Sequence, residues 1–379
     1  MNTDHIILNA VGDVCLGDSL ISLGFGTRST LEARGSRFIF DAVHDVLQDG
    51  HLLFGNLECV LSDRGLDWRN PTTVYLRGAP EAVTACRHGG FDVMNVANNH
   101  TLQYGAEAFH DTTHLLRANG IAPLGIATDG DYHSKPVILE RHGVSVGFLG
   151  YSHEWEQYFH GRPLYATTGS TGILADVARL KRRVDYVVVS MHWGLEYMPY
   201  PSRDQVALAR TLVDHGCDVV LGHHPHVVQG CERYKHGLIA YSLGNFVFDK
   251  TWWPACRRTL VLRITLPRDR RVGISHEVRP IRASREYQPA PVARRAAQRE
   301  FAAHARLSEA ISRDRGSGVL TYRRAQKVRL LALIIPKFIH IVRHTRKYEA
   351  HVRRYLVLRK LLRLAPRLAA SPGRLESGN

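Results

Sequence analysis

The sequence has no uninterrupted apolar run of the roughly 18 residues that a transmembrane helix needs, although 44% of its 379 residues are hydrophobic. The opening Met1-Asn2-Thr3-Asp4-His5 lacks the basic flank and long apolar segment of a secretory signal. Cysteine is sparse and scattered. The six thiols at Cys15, Cys59, Cys86, Cys217, Cys231 and Cys256 include no Cys-x-x-Cys pair. In a chain of this length, that pattern argues against a disulfide framework and for a reduced, cytoplasmic setting. There is no internal repeat and no strong low-complexity segment. The basic C-terminal part has no alternation of aromatic and basic residues that would form a stacking platform for bases. Specific nucleic-acid binding is therefore not expected.

Positive charge is abundant and unevenly placed. Thr251–Asn379 carries 30 Lys and Arg against 8 Asp and Glu, a net of +22. The first 250 residues keep 20 against 27, a net of −7. Such asymmetry describes a mildly acidic body with a basic appendage, whose partner could be an anionic membrane, nucleic acid or an acidic polymer. The segment Leu330–Val342 is apolar but holds Pro336 and Lys337. With Tyr348–Leu364 it reads as a pair of basic amphipathic helices. An interfacial membrane helix and a helix packed on the body with a solvated Arg face both fit.

Short apolar runs broken by glycine or polar residues recur along the first 250 residues. Ile6–Val11, His51–Phe54, Phe91–Ala97, Val144–Leu149, Tyr186–Ser190, Asp218–Leu221 and Leu238–Ser242 read as strands. Asp41–Leu47, Glu81–Gly89, Ala106–Asn119 and Arg203–His215 read as helices between them. The alternation predicts an α/β sheet with much parallel pairing. Leu260–Leu266 and Val272–Val278 read as late, edge-forming strands. Gln288-Pro289-Ala290-Pro291 reads as a linker to basic helices.

Residues with reactive or ligating side chains sit just past these strands. The first runs into Gly12-Asp13, the second into Asn56-Leu57-Glu58, and the third into Asn98-Asn99-His100. Later strands lead to His192-Trp193-Gly194-Leu195-Glu196 and to Gly222-His223-His224-Pro225-His226. Open α/β sheets bind ligands at such strand ends. Each residue has an ordinary explanation as well. Asp13 could cap a turn, Glu58 could be a surface charge, Asn99 could form an Asx turn, and His192 could be a satisfied buried histidine. All of them falling at strand ends favours a metal site. Asp13, Glu58, Asn99, His192, His224 and His226 offer carboxylate, amide and imidazole ligands suited to Mn2+, Zn2+ or Fe2+. Six ligands exceed what one tetrahedral ion needs, so two ions sharing the Glu58 carboxylate are expected. Such a pair activates water and clamps a phosphoryl group. His100, beside a ligand, is placed to act as general acid.

The same motifs, together with Tyr241-Ser242-Leu243-Gly244-Asn245-Phe246, resemble the CapA/PgsA family of poly-γ-glutamate capsule synthesis, within the calcineurin-like metallophosphoesterase superfamily. The resemblance covers about Ile6 to Phe248. It implies a four-layer α-β-β-α sandwich with a dinuclear centre at the strand ends. Asp13 stands for the first-motif aspartate and Glu58 for the usual bridging aspartate. Asn99 and His100 match the Asn-His pair, His192 the lone histidine, and His224 with His226 the final His-x-His. Where the superfamily has Asp-x-His, this chain has Asp13-Val14-Cys15, so Cys15 either ligates as a thiolate or leaves that position open. Gln103 stands where relatives often show an acid.

The expected organisation is a metallophosphoesterase-like domain at 1–287 and a basic, mainly helical extension at 288–379. The expected function is metal-dependent hydrolysis of a phosphoester or exopolymer bond, with Asp13, His100 and Glu196 in the catalytic set. The alternative is a non-catalytic accessory protein that binds an anionic polymer. The implied partners are such a polymer or phosphoester, the polymer-synthesis machinery, and an anionic membrane touched peripherally, at its inner face, by the basic extension.

Overall fold

Along the first strand, His5–Val14, the side chains divide by alternation. Ile6, Leu8 and Ala10 enter one apolar core. Val11 enters another, and the Asn9 amide on that side donates to the Leu47 carbonyl at 3.1 Å. A strand with two apolar faces must be covered on both. In the computed structural model, which describes residues 4–128, 133–153, 161–167, 172–312 and 319–356, one face meets helices and the other meets a second sheet.

The first sheet runs in the order Pro289–Pro291, Ser275–Ala283, Arg258–Pro267, His5–Val14, Leu52–Leu57, Val93–Asn95, Ala122–Leu124. Its last four strands are mutually parallel. A short strand, Asn245–Val247, pairs parallel with the end of His5–Val14, setting Asp13 opposite Asn245. The second sheet runs Cys231–Tyr234, Gly237–Ala240, Val219–His223, Tyr186–His192, Val144–Ser152, Val137–Arg141, with a parallel centre and antiparallel edges.

Between the sheets lies a core to which both contribute: Ile6, Leu8 and Phe54 from one, Phe148, Val188 and Leu221 from the other. The rings of Phe54 and Phe148 lie parallel, 6.2 Å apart, across the gap. Outside the first sheet, helices Val83–Gly89 and Gly105–Ala118 bury Cys86, Phe109 and Leu116. Outside the second, helices Ile173–Lys181 and Arg203–Asp214 bury Val177, Leu180 and Leu212. Each fully buried Val, Leu or Phe contributes about 1.5–3 kcal/mol relative to exposure. The result is the four-layer α-β-β-α sandwich the sequence leads one to expect.

Two expectations change. Arg258–Pro267 is not an edge strand. It pairs antiparallel with His5–Val14 over seven residues and lies inside the first sheet, and Ser275–Ala283, the strand found where Val272–Val278 is expected as an edge, lies between it and Pro289–Pro291. The expected linker, Gln288–Pro291, supplies the actual edge, where Pro289–Pro291 pairs with Ser275–Ala283. Proline has no N–H to donate, and an edge strand is where a sheet tolerates that.

The basic extension is helical. Helix Arg294–Ser312 packs against the second sheet's edge, where the Cys231 N–H donates to Ser308 Oγ at 2.9 Å. Helices Val319–Ala332 and Ile334–Arg343 follow. They are held to the body by the Tyr322 hydroxyl on the Tyr200 carbonyl and by His340 beside Ser22. The part of the second predicted helix beyond Leu356 lies outside the described residues. No helix among the described residues is long and apolar enough to cross a membrane. All six cysteines are buried and unpaired.

Candidate metal centre

Two glycines allow the backbone approaches on which the site depends. A Cβ on Gly12 would stand 1.8 Å from the Gly244 carbonyl oxygen, and one on Gly222 1.9 Å from that of Tyr241. Without side chains there, Asp13 reaches the end of the first sheet and His223 the end of the second. Past His223 the backbone turns sharply. His224 and His226 adopt φ of +92° and +59°, the left-handed region, with Pro225 between them. Each such residue costs on the order of 1–3 kcal/mol and persists where surrounding structure enforces it. The turn aims both imidazoles inward.

The six expected ligands meet. Among the described residues, the ligand atoms of Glu58, His192 and His224 lie within 4.8 Å of one another, and so do those of Asp13, Glu58 and His226. Glu58 belongs to both groups. Asn99 Oδ1 lies 2.9 Å from His192 Nε2 and so joins the first. All six side chains are buried. Glu58 is the telling member: neither of its carboxylate oxygens has a hydrogen-bond partner, and Asp13 Oδ2 also lacks one. Buried carboxylate oxygens left without hydrogen bonds are costly. A divalent cation between them would satisfy these atoms, so the residues present fit such an ion.

The electrostatics point the same way. Burial pushes the Glu58 carboxyl well above its ordinary pKa. Burial would raise Asp13 too, but the imidazoles of His223 and His226 outweigh it and hold its carboxyl well below the usual range. Burial lowers His192 well below its ordinary value and His224 to about 4. Both are therefore neutral at pH 7, the state in which an imidazole lone pair can ligate.

His100 and Glu196 border the cluster. His100 Nε2 lies 3.8 Å from Glu58, and its Nδ1 lies 3.1 Å from Gln103 Oε1. The Gln103 amide is in turn anchored on the Tyr75 carbonyl and the Tyr104 hydroxyl, which fixes Oε1 toward His100. His100 Nδ1 thus donates, and Gln103 orients the ring as an acid would. Burial lowers His100 to about 3. Glu196 Oε1 is 3.5 Å from His226 Nε2, and a third of its side chain remains exposed to a cavity of about 520 Å3 that opens beside the cluster.

Cys15 does not join. Its Sγ lies 3.6 Å from the Gly17 carbonyl, among apolar neighbours and beside Cys59. Burial and that neighbour push its pKa well up.

Three contributors stand outside the expected ligand set. Asn56 Nδ2 donates to Asp13 Oδ1 at 2.9 Å and so orients that carboxylate. His223 Nδ1 lies 3.2 Å from the same oxygen. Lys250 Nζ lies 2.7 Å from His226 Nε2 and 3.5 Å from Glu196. His226 Nδ1 faces the Asn245 side-chain amide oxygen at 2.8 Å; burial and the Lys250 charge oppose protonation of this ring, yet Glu58, Asp13 and Glu196 raise its pKa to about 9. Burial opposes the Lys250 charge, yet Tyr197, Glu196 and Glu58 hold its pKa above the ordinary value. The one signal for Asn56 is its place in Asn56-Leu57-Glu58, two residues before an expected ligand. Lys250 comes soon after the Gly244-Asn245-Phe246 motif but has no spacing rule to mark it.

Residues 7–250 match the model of a family described as bacterial capsule synthesis protein PGA_cap. The capsule biosynthesis protein CapA of Bacillus anthracis is 31% identical over 261 residues, 66% of this chain and 61% of that protein. The PGA biosynthesis protein CapA of Bacillus subtilis is 30% identical over 258 residues, 66% of this chain and 65% of that one. The chain thus spans less than two thirds of these relatives. Among solved structures, a hypothetical protein from Thermus thermophilus aligns at 16% identity and a TM-score of 0.44, over 73% of this chain and 99% of that chain. So distant a likeness carries no weight for function.

Proposed function

The chain belongs to the PGA_cap family of bacterial capsule synthesis proteins, and on that premise we propose that it serves exopolymer synthesis of the poly-γ-glutamate type as a divalent-metal-dependent hydrolase. The bond cleaved is a phosphoester or a linkage of the polymer. One observation supports this above all: residues scattered from Asp13 to His226 converge around Glu58, whose two oxygens are buried without hydrogen-bond partners.

In this reading Glu58, Asn99, His192 and His224 would hold one ion, and Asp13, Glu58 and His226 would hold a second, with Mn2+, Zn2+ or Fe2+ as the candidates. When bound, the ions would supply Lewis acidity and lower the pKa of water. The remaining chemistry belongs to the chain. His100 keeps Nδ1 protonated on Gln103 and presents Nε2 toward Glu58 and the cavity. A proton taken up at Nε2 can be passed to a leaving group. Lys250, in the cavity wall, offers its ammonium to a phosphoryl or carboxylate oxygen, and Glu196 holds that ammonium in place. Residues 1–287 would form the hydrolytic body and 288–379 the extension that places it.

The test is elemental analysis and phosphodiester turnover with Mn2+, comparing wild type with Asp13→Ala and His224→Ala. Bound transition metal that falls in both variants, with loss of turnover, is the expected result. Turnover unchanged in both would overturn the reading. Metal without turnover on any phosphoester or polymer would leave the alternative, a non-catalytic polymer-binding accessory protein.

A further inference from the structure

Helices Val319–Ala332 and Ile334–Arg343 expose a stripe that a solvated protein surface does not normally carry. Val328, Leu331, Ile335, Ile339 and Val342 recur at intervals of three or four residues, and all are exposed, Ile335 by 67% and Val328 by 66%. Such spacing places Val328 and Leu331 on one face of the first helix, and Ile335, Ile339 and Val342 on one face of the second. Around it, the stretch from Val319 to Leu356 carries ten Lys and Arg but a single acid, Glu349. Arg323, Arg324, Lys327, Arg343, Arg346 and Lys347 are among its cations.

We propose that this pair of helices docks flat on an anionic lipid surface, with the aliphatic stripe entering the headgroup boundary and the cations on lipid phosphates. The combination of an apolar face with a basic flank is the chemistry such a surface selects. A protein partner would need acidic groups set around an apolar groove, whereas a membrane supplies both everywhere. A nucleic acid would satisfy the cations and leave five aliphatic side chains in water. The placement also has a consequence for the site. Ile334 and Phe338 are exposed and also line the cavity beside His100 and Lys250. A docked helix therefore lays the cavity mouth against the lipid surface, where a membrane-bound polymer or phosphoester would meet it.

The test is co-sedimentation of the full chain, without added metal, with phosphatidylglycerol-containing and with pure phosphatidylcholine vesicles. Binding should favour the anionic vesicles. It should be lost in Ile335→Glu/Ile339→Glu and reduced in Val328→Glu, with far-UV circular dichroism unchanged. Each exposed cation replaced by alanine should weaken binding about fivefold at low salt. No vesicle binding, or binding untouched by the glutamates, would overturn the proposal. So would a preference for duplex or single-stranded RNA that Ile335→Glu/Ile339→Glu leaves intact. Because no metal or turnover enters the assay, its failure is separable from failure of the hydrolase reading.

Discussion

Replacing Glu58 by methionine should have opposite effects with and without metal. The carboxylate is fully buried, neither oxygen is hydrogen-bonded, and Asp13 adds a like charge nearby. Against this stand contacts of 3.6 Å to His226 and 3.8 Å to His100. Methionine is similar in length, unbranched and apolar, so it fills the space without a desolvation cost. A buried polar group left unpaired costs about 1–3 kcal/mol, and we expect Glu58→Met to recover that much in metal-stripped protein. Unfolding entropy near 2.1 cal/mol/K per residue gives about 0.8 kcal/mol/K for this chain, so Tm in chelator should rise by about 1–4 °C. Wild type at a hundredfold excess of Mn2+ over Kd should gain about 2.7 kcal/mol, roughly 3 °C, and the variant should gain almost nothing. The two Tm values should therefore cross between chelator and metal, as measured by scanning calorimetry. The pH dependence has a definite sign. Burial raises the Glu58 pKa above its ordinary 4.5, so the folded state holds the proton more tightly. Its cost is absent below the ordinary value and grows as pH rises through the folded value. The variant's advantage in chelator should accordingly vanish in acid. A variant less stable than wild type in chelator at pH 7, or one with an undiminished metal response, would refute the account of Glu58.

Other substitutions probe the rest of the site. Lys250→Met removes the ammonium from His226 Nε2, so divalent-metal affinity by calorimetry should tighten on the order of tenfold, while inorganic phosphate should inhibit less well. Asn56→Leu deletes the donor that orients Asp13. Metal affinity should fall about 10–100-fold, with the urea midpoint of the metal-free chain changed far less. Gly222→Ala drives a methyl to 1.9 Å from the Tyr241 oxygen, which should cost about 1–3 kcal/mol or more in urea unfolding. Gln103→Ala removes the Oε1 contact that orients the His100 ring and should lower kcat more than it changes metal content.

The parallel strands are readable because their runs are short, apolar and closed by glycine or polar residues, and because ligand-type residues come after each one. Asp13, Glu58, Asn99, His192, His224 and His226 are visible individually for that reason. Their meeting is not a local property. It depends on two sheets stacked with their strand ends aligned, and only contacts such as Phe54 on Phe148 fix that stacking. The misread stretches fail for a related reason. Arg258–Pro267 has the alternation of any half-buried strand, and nothing in that pattern says that it inserts beside His5–Val14. Pro289 and Pro291 read as a breaker, although a sheet edge accepts them. Cys15 attracts a ligand role by its position in a motif, whereas its environment is the apolar cluster around Cys59.

The groups outside the expected ligand set share a physical role. Asn56, His223, Gln103 and Lys250 each touch an expected site residue rather than standing among the expected ligands, and their value comes entirely from distance. They also explain how an unfavourable arrangement persists. Two left-handed histidines, two Glu58 oxygens without hydrogen bonds and a buried lysine all oppose folding locally. The apolar cores on both sides of each sheet hold the strand ends together regardless. A chain that sustains such costs at one point, with the neutral imidazoles of His192 and His224 beside carboxylates short of partners, has there the residues that a divalent cation would satisfy. The extension reaches the same point from outside, since Ile334 and Phe338 form part of the cavity's rim. Binding of metal at the strand ends and of lipid at the helices would then act on one opening, and a variant defective in either should lose function while keeping the fold.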